Sequence, residues 1–245
     1  MGEAIAILSG KGGTGKTSVC AAVATALSAG DCKVLCIDCD VGLRNLDISL
    51  GLSSQAALSF LDLCDGSYTL DALTPHPQFS NLYFLTAPMN RSADEIDADA
   101  FGELVLSARQ RYDYVLLDAP AGVDAGFRLA AAKADRILLV TGSDPAAVRD
   151  ASHTAQKLEL MGKPNVRLVV NRISPKLVSS MDLTIDDVMD QAGLPLIGVV
   201  PEDHNVVLAA AFGKPLLIYS KKCPAAAACR RIAKRIQGMS VEIDL

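Results

Sequence analysis

The chain has 245 residues, a net charge of −5 and no tryptophan, and half of its residues are apolar. Its acidic balance argues against a protein that coats nucleic acid through its overall field, while the apolar share is ample for a sizeable core. The length admits one large α/β domain, expected over residues 1–238 with a short tail at 239–245.

With aromatics scarce, the core must be built from Val, Ile, Leu and Ala, which suits a parallel sheet covered by alanine-rich helices on both faces. The seven cysteines fall inside apparent strands and helices with no signal-peptide pattern ahead of them, so reduced thiols in a cytosolic protein are expected. The longest apolar run, residues 19–29, is broken by Thr25 and Ser28 and is too short to cross a bilayer, so any membrane contact is expected to be peripheral.

In chain order, continuous apolar runs predict strands at residues 4–8, 34–37, 82–85, 114–117, 137–140, 166–170 and 196–200. They do not alternate with polar residues, as strands buried on both faces should not. Between them, helices are predicted over residues 17–29, about 97–111, 146–161 and 182–192. Gly30, Gly162 and Gly193 follow three of these helices, where a C-terminal cap is expected. The recurring strand–helix unit predicts right-handed crossovers and a mostly parallel central sheet between two helical layers.

The first predicted strand runs into Gly10-Lys11-Gly12-Gly13-Thr14-Gly15-Lys16-Thr17, and a helix follows at once. This satisfies G-x-x-x-x-G-K-[ST] in the strand–loop–helix setting that the phosphate-binding loop requires. Glycines let successive backbone N–H groups turn onto an anion, and the helix N-terminus adds partial positive charge. Lys16 is expected to reach the β- and γ-phosphates of ATP, and the Thr17 hydroxyl to ligate Mg²⁺, with Ser18 as a further nucleotide contact. Asp118 follows the fourth strand, where a carboxylate can hold Mg²⁺ through water. The Ala119-Pro120-Ala121-Gly122 turn offers amides that can sense a γ-phosphate. Asp38 and Asp40 follow the second strand, and all three carboxylates are expected near the loop, because ligands bind at the carboxyl ends of strands in open α/β sheets.

Lys11, directly after the first glycine, gives the loop a form that resembles the deviant Walker A sequence of the ParA/MinD ATPases. The segment from Asp38 through Asp40, Gly42 and Leu43-Arg44-Asn45 to Asp47, followed by Leu50-Gly51-Leu52, is similar to the septum-positioning branch of that family. Further similarity covers residues 79–88 and 118–122, Val170-Asn171-Arg172, Pro201-Glu202-Asp203 and residues 209–215, so that it spans about residues 4 to 238.

The resemblance implies a P-loop ATPase fold and an ATP-dependent homodimer in which Lys11 reaches the partner's phosphates. It implies that Asp40 orients the attacking water, that Asp38 and Asp118 support the metal, and that Asn171, Arg172 and the Pro201-Glu202-Asp203 loop meet the adenine. It further implies a MinC-like inhibitor and a MinE-like activator as partners, with peripheral association to the inner face of the cell membrane. The alternative within the family is a ParA-like or flagellar-number positioning ATPase acting on nucleoid DNA or another cargo.

Other signals are set aside. Cys32, Cys36 and Cys39 have an iron–sulfur-like spacing, but Cys36 lies in a predicted buried strand and small apolar fillers are the better reading. His76, His153 and His204 are too scattered for a metal triad. The helix beginning near residues 143–157 is read as a partner-binding surface in the family or as an ordinary charged helix face. The basic stretch at residues 225–237, with Cys229, Ile232, Ala233 and Ile236 on one stripe, is expected to pack on the sheet rather than on a membrane.

Overall fold

The computed structural model describes residues 1–41, 43–89, 91–174 and 184–243. Gly42 of the second-strand segment, the first two residues of the helix expected from Asp182, and the last two residues of the expected tail lie outside the described residues.

Seven strands form one sheet: β1 Glu3–Leu8, β2 Val34–Asp38, β3 Leu82–Leu85, β4 Tyr114–Asp118, β5 Arg136–Thr141, β6 Val166–Ile173 and β7 Leu196–Pro201. Their spatial order is β3-β2-β4-β1-β5-β6-β7, and every pairing is parallel. Helices α1 Lys16–Ser28, α2 Leu46–Leu50, α3 Phe60–Cys64, α4 Ala98–Arg109, α5 Ala125–Lys133, α6 Pro145–Leu160, α7 Ile185–Ala192, α8 His204–Ala211, α9 Leu216–Tyr219 and α10 Pro224–Ile236 flank the sheet. The molecule is a three-layer α/β sandwich.

The period of two along β1 divides its core. Ile5 and Ile7 join α1, α10, Cys36 and Leu116 on one face, while Ala4, Ala6 and Leu8 join Leu35, Ile37, Phe101 and Phe127 on the other. Phe60 of α3 meets Phe101 of α4 edge-to-face, with ring centroids 5.3 Å apart. A smaller cluster joins Val148 of α6 and Val188 of α7 to Leu168, Val170 and Val199.

The basic helix α10 buries the apolar stripe expected of it, with Cys229, Ile232, Ala233 and Ile236 all in the core. It lies so close to β7 that a Cβ at Gly198 would fall 2.4 Å from Ile232 Cγ1. Arg235 donates to the carbonyls of Ile197 and Val241, and Arg230 to that of Lys221, so these charges are engaged within the fold.

Two expectations are corrected. After α1 the left-handed residue is Asp31 at φ 66, not Gly30. The Cys32 N–H reaches back to Leu27 O at 3.2 Å, which places Asp31 at the αL position of the cap, a place a short polar side chain tolerates. Gly162 and Gly193 do take the left-handed conformation, at φ 70 and 68. The sixth strand runs on to Ile173 rather than ending at Val170, so Asn171 and Arg172 belong to the ladder.

Candidate functional site

The loop between β1 and α1 sits at the carboxyl edge of the sheet, where the strand order departs from β1 in both directions. Gly13 and Gly15 have φ of 80 and 82, the region that L side chains avoid. Gly10 serves another need: a Cβ there would meet Thr154 Oγ1 at 2.5 Å and Asp150 O at 2.7 Å, so its absence lets α6 press against the loop. The N-terminus of α1 has no side-chain cap and no acidic residue in its first turn. Its N–H groups and partial positive charge are therefore left for an anion.

Lys16 is buried, and its Nζ lies 2.7 Å from Asp118 Oδ1 and 3.2 Å from Thr17 Oγ1. Burial works against the ammonium, but Asp118 outweighs it and Lys16 is held charged. Burial pushes the Asp118 carboxyl up, while Lys16 and the Thr17 hydroxyl pull it back.

Asp38 lies beside Asp118 in the β2–β4 register. Its two oxygens accept from the Asp40 N–H at 2.9 Å and the Leu46 N–H at 3.2 Å, tying the 39–45 loop to the strand end. Burial and then the Asp118 charge push the Asp38 carboxyl up to about 7. Asp40 is half-buried and its carboxyl is also raised by desolvation, against the pull of Lys16.

These residues fit Mg-nucleotide. Thr14 Oγ1 is buried at the loop without a hydrogen-bond partner, and the N-terminus of α1 has no side-chain cap. Among the described residues no three His, Cys, Asp or Glu groups are arranged to hold a metal ion by themselves. A magnesium site on a phosphate loop needs no such cage, since one hydroxyl, one or two carboxylates, phosphate oxygens and water suffice. Thr17 with Asp118 and Asp38 behind it would hold it.

A cavity of about 380 Å³ over the loop is lined by Ser9, Lys16, Thr17, Ser18, Asp40 and Ala121 among others, and among the described residues no arginine lines it. Gly122, expected to offer its amide there, has φ 91 and donates its N–H to Ser9 O at 3.1 Å, so that amide is committed to the β1 end. Lys11 also lines this cavity. It is half-exposed, and its Nζ is 3.9 Å from Asp144, the residue whose side chain caps α6.

A second cavity of about 440 Å³ adjoins the start of α1, with Gly15, Ser18, Asn171, Arg172, Pro201, Glu202 and Asp203 on its wall. Its floor is apolar, from Val19, Ala22, Leu216 and Cys229. This suits a planar base next to a phosphate loop.

Asp203 does more than line it. It accepts from Asn205 N at 3.0 Å and from Ala225 N at 3.2 Å, capping α8 and α10 together. Although burial raises its carboxyl, those N–H donors win and hold it below the usual range. The floor residues escaped sequence reading, because apolar positions on α1 and α10 look like any other core. Asp144 escaped too; the signal available was its place before Pro145, an N-cap and N1 pair.

The CobQ/CobB/MinD/ParA nucleotide-binding domain matches residues 5–216. The septum site-determining protein MinD of Synechocystis is 37% identical over 243 residues, covering 98% of this chain and 91% of that one. MinD in the Aquifex aeolicus MinC:MinD cell division complex superimposes with a TM-score of 0.91 at 35% identity, covering 99% of this chain and 98% of that one. The septum site-determining protein of Pyrococcus horikoshii, solved with Mg-ADP, gives a TM-score of 0.84 at 29% identity, with 96% of each chain covered. Fold, phosphate loop and relatives agree, and the chain belongs to the MinD/ParA family of P-loop nucleotide hydrolases.

Proposed function

We propose that this chain is a Mg-ATP-dependent, dimerising ATPase that helps place the bacterial division septum. Its ATP-bound dimer recruits a MinC-like inhibitor to the inner face of the membrane, and a MinE-like activator triggers hydrolysis and release. The observation that carries the reading is the position of Lys11. It lines the mouth-side of the phosphate loop from a half-exposed position, and its ammonium makes only a long contact, 3.9 Å, to the half-exposed Asp144. A lysine so placed is free to meet phosphates presented by a second copy.

Within one copy, Lys16 neutralises charge on the transferring phosphoryl group and Asp40 orients water against it. Mg²⁺, held through Thr17, would spread the remaining negative charge. With no arginine among the described residues that line the phosphate cavity, intrinsic turnover is slow and depends on a partner. The nucleoid-bound alternative draws less support, because Arg230 and Arg235 of the late basic segment are engaged with backbone carbonyls.

The test is rescue of division. In cells lacking their own septum-positioning ATPase, this chain restores midcell septa and the Lys11→Ala variant does not. ATP-dependent binding to non-specific DNA with a steep salt slope, and no rescue, would favour the nucleoid alternative.

A further inference from the structure

The end of β6 breaks the rule that successive side chains of a strand point to opposite faces. Asn171 and its neighbour Arg172 both reach the phosphate loop. Asn171 Nδ2 donates to Thr14 O at 2.7 Å, and Arg172 donates to Gly13 O at 3.1 Å. Two backbone features permit this: the β6–β7 register shifts between Asn171 and Ile173, and Arg172 adopts φ 59. A non-glycine residue held in the left-handed region beside a functional loop is strain retained for a purpose or compensated by its contacts.

The consequence follows from peptide planarity. In a trans peptide the C=O and the next N–H point in opposite directions. Tethering the carbonyls of Gly13 and Thr14 toward β6 therefore turns the N–H groups of Thr14 and Gly15 away from β6, toward the cavity lined by Lys16, Thr17 and Ala121. Gly15 leaves room for the clamp, since a Cβ there would sit 2.4 Å from Asn171 Nδ2.

We infer that Asn171 and Arg172 form a peptide-plane clamp that pre-orients the phosphate loop's amides toward the triphosphate, in addition to lining the base cavity. They are positioning residues for phosphate binding. Asn171 carries two amide hydrogens and one carbonyl oxygen, so its bond to Thr14 leaves a donor and an acceptor for the base. One side chain thus links the two cavities. The inference rests on the phosphate site and not on the septum role.

The test separates phosphate from base. Calorimetry measures Mg-ATP and base-free Mg-tripolyphosphate binding to the wild-type chain, Asn171→Ala, Arg172→Gly and Arg172→Lys, with melting temperatures in parallel. Glycine adopts φ 59 without strain, so Arg172→Gly keeps the fold and decides the question even if Asn171→Ala lowers the melting temperature. The clamp predicts that Asn171→Ala weakens tripolyphosphate binding roughly tenfold and Arg172→Gly severalfold, with partial recovery in Arg172→Lys. Tripolyphosphate affinity within twofold of wild type in both Asn171→Ala and Arg172→Gly, while ATP affinity falls, would overturn the clamp and leave only base contacts. Wild-type binding of ATP but not of tripolyphosphate would also overturn it, whereas no binding of ATP at all would remove the ATPase reading with it.

Discussion

The two ends of the phosphate loop carry the same side chain in opposite surroundings. Lys16 is buried, 2.7 Å from a carboxylate that is itself buried, beneath the cavity its ammonium serves. Lys11, five residues earlier, is half-exposed and 3.9 Å from a half-exposed aspartate. A charge in the first setting is fixed and strongly coupled to its neighbours; a charge in the second is screened and free to move. The difference teaches that one side chain is fixed by its surroundings and the other is left free to move, as the proposed division of roles between the two lysines requires.

The largest effect expected from breaking that contrast is at the buried end. Lys16→Ala removes the ammonium that faces the phosphates and should lower ATP turnover by a factor on the order of 10² to 10³, read by steady-state phosphate release. It also leaves Asp118 buried without its partner, so the melting curve should show a loss of up to about 3 kcal/mol, limited because the raised Asp118 carboxyl can take up a proton.

Next is a pH effect that belongs to the buried side alone. Asp38, at about 7, lies above its ordinary 3.8, so the folded state binds that proton more tightly than the unfolded chain does. Its contribution is fully present below about pH 4 and is lost as pH rises toward 7, with a decline in nucleotide-free stability on the order of 4 kcal/mol across that range. Denaturant titrations between pH 4.5 and 8 should show that decline in the wild-type chain and a flatter profile in Asp38→Asn. An unchanged profile in the variant would assign the slope to other groups.

The smallest effect sharpens the contrast from the exposed side. Lys11→Ala should change monomer stability by less than about 0.5 kcal/mol, because a long surface ion pair contributes little. A melting shift comparable to that of Lys16→Ala would show that Lys11 is built into the fold and not available to a partner.

Much of this was legible in the sequence because the signals are local. The phosphate loop declares itself within eight residues, and all seven strands appear as continuous apolar runs. What stayed hidden depends on distance or on backbone conformation. The helices α2, α3 and α9 are four or five residues long, less than two turns, so no periodicity can mark them. In α5 the run of Ala130, Ala131 and Ala132 blurs the apolar stripe.

Asp203 reads as part of a loop after a strand, yet one of its backbone N–H donors is on Ala225, 22 residues on. Arg172 is the clearest case. Nothing in an arginine signals a positive φ, so its reach to Gly13, and with it the placement of Asn171 inside the strand, could only be seen in three dimensions. Asp31, standing left-handed where Gly30 was expected, is the same limitation at a helix end.

The claim that Lys11 acts outside its own site has a direct test: the mass of the chain in solution by light scattering. It would be measured with ADP, and with ATP in an Asp40→Ala background that slows hydrolysis, each with and without Lys11→Ala. The account predicts a monomer with ADP, a dimer with ATP, and a monomer again with ATP once Lys11 is gone. The same mass in both nucleotides, or an ATP dimer that survives the loss of Lys11, would contradict it.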